Sequence, residues 1–125
     1  MLFRSRLKQF DVSGPTITLG AKQALSLSLI LHELATNAFK YGALSVSEGR
    51  VQIRWDVETT DALEHFVIDW TESAGPPVRE PQNLGSGSRL IKAGLAGTVR
   101  CTVQSNYAPD GLKFRLSADL ASMRD

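Results

Sequence analysis

Apolar residues recur along this chain with two different periods. Between Gln9 and Leu19, QFDVSGPTITL alternates around a Ser13-Gly14-Pro15 turn signal, which predicts two short strands or one strand and an extended arm. From Ala21 no glycine or proline interrupts the chain until Gly42, and most residues are good helix formers. The stretch predicts one long helix that stops at Gly42. Leu27, Leu31, Leu34 and Ala38 form its apolar stripe, and the upstream half, ALSLSLIL, is apolar nearly all round, which predicts deep burial there. Two alternating runs follow, RVQIRWDVE and LEHFVIDW. The first puts Val51, Ile53, Trp55 and Val57 on one side; the second puts Phe66, Ile68 and Trp70 opposite Val67. Both tryptophans read as sheet core and His65 as an exposed residue at a strand start. Thr59-Thr60-Asp61 reads as the hairpin turn between the runs. A breaker-rich connection spans residues 71–88, and SRLIKAGLAG beyond it predicts a second helix. Two more alternating runs, TVRCTVQSN and GLKFRLSADL, meet around Pro109-Asp110-Gly111. The order predicts an α+β plan: two layers, with helices on one face of a mixed, mostly antiparallel sheet.

Composition narrows the class. At 125 residues the chain is a single domain, 1–125, with residues 1–8 read as a frayed or partner-contacting end. Fourteen Lys and Arg against thirteen Asp and Glu leave a net charge of +1, which disfavours wrapping a nucleic acid. The single cysteine, Cys101, excludes an internal disulfide and fits a reducing compartment, hence the cytoplasm. With only His32 and His65 to join it, a structural zinc cluster is not credible. No run approaches the ~20 apolar residues of a spanning helix, so no membrane contact is expected.

Two segments carry chemistry. At about 100° per residue, Glu33, Asn37, Lys40 and Tyr41 share one side of the long helix, spaced i, i+4, i+7 and i+8. One reading makes them a solvated face. The other makes them a site: an amide oxygen and a carboxylate suit Mg²⁺, the carboxylate can orient or deprotonate a hydroxyl or water, and Lys40 can neutralise phosphate oxygens. The 71–88 connection has the length of a lid or binding loop and ends in Gly85-Ser86-Gly87-Ser88-Arg89 at a predicted helix start. Glycines there let backbone amides approach an anion, and the helix N-terminus adds its dipole. Arg89 in the first turn is unfavourable for the helix alone, and an anionic partner would remove that penalty. A flexible linker explains the same residues.

Taken together, the motifs resemble a known family. HELATNAFKYGALS at 32–45 resembles the N-box of histidine-kinase catalytic domains. His32, with Trp70-Thr71-Glu72 downstream, narrows the resemblance to the HWE branch of the GHKL superfamily, and GSGSRLI at 85–91 is similar to its glycine box. The likeness covers about residues 9 to 120. It implies an ATP-binding α/β sandwich of the Bergerat type, with ATP and Mg²⁺ as ligands. It implies that Asn37 binds the metal, that Glu33 is a catalytic acidic residue held near the γ-phosphate and the metal, and that Lys40 is a catalytic, phosphate-contacting cation with Tyr41 beside it. Glu72 stands where related kinases carry an aspartate that hydrogen-bonds the adenine amino group, and Gly75 where a glycine lets adenine pack on backbone. Gly85, Ser86, Gly87, Ser88 and Arg89 match the phosphate end of the lid. Ala74 and Ser86 depart from the pattern, standing where a glycine and an aromatic residue are expected. For His32 two roles stay open: a hydrogen-bonded structural histidine, or a direct part in phosphate or lid chemistry.

The resemblance further implies a protein histidine kinase, with this chain as its catalytic half. The chain carries no acceptor histidine domain, so the γ-phosphoryl group is expected to go to a histidine on a separate dimerisation domain, and from there to a response regulator. Slow or negligible turnover is expected without that acceptor. A nucleotide-binding regulatory module without transfer, and a plain interaction domain, are the competing classes.

Overall fold

A computed structural model describes residues 8–77 and 101–124. Strand β1 (Phe10–Ser13) leads through an extended arm into helix α1 (Ala21–Tyr41), a 3-10 turn (Ala43–Ser45) and strand β2 (Arg50–Thr60). Strand β3 (Leu63–Ser73), strand β4 (Cys101–Ala108), strand β5 (Gly111–Asp119) and a four-residue helix α2 (Leu120–Met123) follow. The strands form one sheet in the order β1-β2-β3-β5-β4. β1 runs parallel to β2, and the other pairs are antiparallel. The parallel pair is the one joined through α1, since parallel neighbours need a long crossover.

Register turns alternation into a core. Ile53 faces Trp70, which faces Phe114; Trp55 faces Ile68, which faces Leu116. These rows share one face of the sheet and pack with Leu27, Ile30, Leu34 and Ala38 of α1 and with Leu120 and Met123 of α2. The opposite face carries Arg54, Asp69 and Arg115 in one row across three strands.

The arm reading of residues 14–20 holds: Trp55 Nε1 donates to the Pro15 carbonyl at 2.7 Å, and Gly14 lies against the indole because a side chain there would strike it. Four expectations shift. The hairpin turn falls at Asp61-Ala62, because the ladder continues to Thr60 opposite Leu63 and a two-residue loop then needs positive φ at both positions (52° and 65°). Leu120 begins a helix rather than ending a strand, and Ser122 Oγ donates back to Asp119 Oδ2 at 2.9 Å. Leu25 and Leu29 remain 63% and 44% exposed, because α1 buries one face rather than its whole upstream half. Trp55 and His65 are both half-buried, at the rim rather than in the core or in open solvent. The predicted helix over SRLIKAGLAG lies outside the described residues.

Candidate functional site

The site is built where α1 ends. Gly42 closes the helix, its N–H donating to the Ala38 carbonyl at 3.0 Å. The last turns leave Asn37, Lys40 and Tyr41 exposed and Glu33 half-buried, while Leu34 and Ala38 on the other side are core. One helical side therefore presents a carboxylate, an amide, an ammonium and a phenol outward in the predicted order. His32 is also exposed, and its backbone carbonyl accepts from Thr36 Oγ1 at 2.9 Å.

The chain then doubles back through residues 42–49 against the end of β3. Glu72, on the core face of β3, is only 3% exposed. Its Oε1 accepts from the Ala43 N–H at 2.9 Å and its Oε2 from Trp70 Nε1 at 2.9 Å. A carboxylate this deeply buried persists only where donors replace water, and these two bonds supply them. Trp70 is itself fixed, 1% exposed and edge-on to Phe10 with ring centroids 6.4 Å apart.

Glycines make the joint possible. A methyl at Gly42 would strike Glu72 Oε1, one at Gly49 the Ala43 carbonyl, and one at Gly111 the Glu72 carbonyl. One at Gly75 would lie 2.6 Å from the Ala43 Cα. Gly75 thus brings the segment after β3 onto the loop after α1. Next to it, Ala74 adopts φ 58°, the left-handed region that favours glycine. That is the position where the sequence pattern departs from an expected glycine.

The far end of the loop has its own staple, which the sequence reading did not single out. Gln9 is 4% exposed, and its Nε2 donates to the carbonyls of Val46 (2.8 Å) and Gly49 (3.0 Å), while its own carbonyl accepts the Val51 N–H at 2.8 Å. The only signal in sequence is a polar residue beside a strand start, which is too common to be diagnostic.

The structure thus brings Glu72 and Gly75 against the end of the helix bearing Glu33, Asn37, Lys40 and Tyr41. Gly85, Ser86, Gly87, Ser88 and Arg89 lie outside the described residues. The donor set fits a hard cation: Asn37 and Glu33, one turn apart, offer an amide oxygen and a carboxylate to an ion that keeps several waters. Among the described residues no three His, Cys, Asp or Glu gather into a metal-binding group, so such an ion would draw further ligands from water or phosphate. Among the same residues no helix is long and apolar enough to cross a membrane.

No family model matches the chain. It is 43% identical over 110 residues to a blue-light-activated histidine kinase of Brucella anthropi, covering 88% of this chain and 22% of that protein. It is 39% identical over 119 residues to blue-light-activated histidine kinase 1 of Erythrobacter litoralis, covering 92% of this chain and 32% of that protein. The chain therefore spans less than a third of the length of these relatives. Among solved structures it superposes on the histidine kinase domain of a blue-light activated kinase from Erythrobacter litoralis with a TM-score of 0.72 at 19% identity, over 93% of this chain and 53% of that one. It superposes on the catalytic domain of histidine kinase ThkA with a TM-score of 0.67 at 14% identity, over 95% of this chain and 86% of that one.

Proposed function

Since the chain belongs to the histidine kinases, as the catalytic domain of a sensor kinase, we propose that it binds ATP with Mg²⁺ and supplies the γ-phosphoryl group to a histidine on a separate dimerisation domain. The observation that carries this reading is the joint at Glu72. It fixes a buried carboxylate beside the end of helix α1, which presents an acid, an amide and an ammonium on a single side.

Each group has a role in this reading. Glu72 keeps unused lone pairs on both oxygens and meets the adenine amine. Gly75 leaves backbone free for the base. Asn37 and Glu33 hold the Mg²⁺, which when bound offsets charge on the phosphates. Lys40 lies against phosphate oxygens as a mobile point charge, with Tyr41 beside it. Gly85, Ser86, Gly87, Ser88 and Arg89, which match the phosphate end of the family's lid, are assigned to the phosphates. His32, exposed one residue before Glu33, keeps both roles open, a structural histidine or a part in phosphate or lid chemistry. In the transfer, an imidazole nitrogen of the acceptor forms a bond to the γ-phosphorus, the bond from that phosphorus to the bridging oxygen breaks, and ADP leaves. This chain holds the donor in line and neutralises charge, while the acceptor domain brings the nucleophile. In this reading the reaction runs in the cytoplasm, where ATP is available, with a response regulator downstream.

Calorimetry with ATP, with and without Mg²⁺, tests the binding. Asn37→Ala is expected to remove the Mg²⁺ dependence and weaken Mg-ATP at least tenfold; unchanged affinity would refute the metal assignment. Mixing with an acceptor domain and γ-labelled ATP tests transfer. ATP binding without label on the acceptor would favour a regulatory module that binds nucleotide but does not transfer.

A further inference from the structure

Beyond the role proposed for it toward the base, Glu72 is a joint in the fold. Its two oxygens hold two separate parts of the chain: Oε2 the indole of Trp70 on its own strand, Oε1 the backbone of Ala43 beyond the end of α1. We propose that Trp70 and the Ala43 amide are positioning groups for this carboxylate, and that position 72 requires a glutamate because its side chain has to span from β3 to the loop after α1. The inference deepens the nucleotide-binding reading and rests on it for the ligand.

Four observations converge. Both bonds are 2.9 Å long and buried. Gly42 leaves room where Oε1 lies, so loop and carboxylate fit each other's shape. Gly111, with φ +146°, lets β5 lie so close to the Glu72 carbonyl that a side chain there would strike it. The other end of the 42–49 loop is stapled independently by Gln9, so Glu72 is the tie at the end nearest Lys40 and Tyr41. The carboxylate is aimed by one donor and tethers the helix end through the other. A base that meets it is then read by a group held rigid, and its placement is coupled to the end of the helix that bears the phosphate-facing side chains. An acceptor-only carboxylate rewards a 6-amino purine and opposes a 6-oxo one, and a loosely held carboxylate discriminates less.

The variants are Glu72→Asp, which keeps the charge and shortens the reach, and Trp70→Phe, which deletes the indole donor. Three measurements apply to the full chain: the thermal midpoint without nucleotide, the Trp70 indole N–H resonance, and affinity for Mg-ATP against inosine triphosphate with Mg²⁺. Glu72→Asp is expected to lower the midpoint by several degrees, shift the indole signal with loss of exchange protection, and weaken ATP at least tenfold. Trp70→Phe is expected to narrow the ATP-to-inosine-triphosphate preference severalfold, a change that packing loss alone does not produce. If Trp70→Phe does not fold, the indole signal and nucleotide preference of Glu72→Asp decide. An aspartate variant that keeps the midpoint, the indole signal and ATP affinity within twofold overturns the proposal, as does an unaltered base preference in both folded variants. Should the unsubstituted chain fail to bind either nucleotide, the functional reading falls. The nucleotide-free midpoint and indole shift then still judge the tether separately.

Discussion

Two carboxylates three residues apart on β3 live in different worlds. Glu72 points into the core, 3% exposed, with its oxygens on two neutral N–H donors. Asp69 points out of the opposite face and grips Arg115 bidentately, with Oδ1 to Nε at 2.7 Å and Oδ2 to Nη2 at 3.0 Å. The Asp69 hydrogen bond, then its charge, then that of Glu58, hold the Arg115 guanidinium above its already high ordinary pKa. By contact geometry the pair at Asp69 is the stronger. By consequence it is the weaker, because water replaces a lost surface partner at little cost. Water does not reach Ala43 and Trp70 so readily, and a donor left there bears its full desolvation penalty. Burial, not charge, separates a carboxylate that organises the fold from one that decorates it.

Removing each sharpens that contrast. Glu72→Ala strands two buried donors and is expected to cost roughly 3 kcal/mol or more in denaturant unfolding. Loss of less than about 1 kcal/mol would show that the joint is wetter than its geometry implies. Gly111→Ala attacks the same joint from the backbone side, forcing a side chain into the Glu72 carbonyl at φ +146°. Its expected cost is about 2 kcal/mol or more, and a neutral result would mean that β5 slides aside. Relief is expected at Ala74, where Ala74→Gly frees a left-handed backbone and should stabilise by up to about 1 kcal/mol. Asp69→Ala should cost less than about 1 kcal/mol and become neutral in high salt.

The smallest effect is on pH. Burial pushes the Cys101 thiol above its ordinary value. The folded chain then holds that proton more tightly than the unfolded one. Its contribution to stability is fully present below the ordinary thiol pKa and is lost as pH rises from there through the raised value of the folded chain. Alkylation of Cys101 at neutral pH should accordingly be slower than that of a free cysteine, and equal rates would contradict the burial.

Much of this was legible beforehand. Period-two runs from Val51 to Val57 and from Phe66 to Trp70, and an uninterrupted helix ending at Gly42, follow from local rules of alternation, propensity and termination. The chemistry of α1 was equally readable, since helical geometry alone decides that Glu33, Asn37, Lys40 and Tyr41 share a side. The hairpin turn moved to Asp61-Ala62 because its position depends on where the ladder with β3 closes, a pairing between strands rather than a property of Thr59 or Thr60.

Order along the chain, helix termination and the outward presentation of polar groups on α1 were determined by the sequence itself, because each depends on residues within a few positions of one another. Tertiary structure decided what those groups are joined to. Ala43 and Glu72 lie 29 positions apart, and Gln9 reaches Gly49 across 40. No local pattern encodes such pairings, because they exist only once β1 and β3 have bracketed β2 and the glycines have let the backbones close on one another.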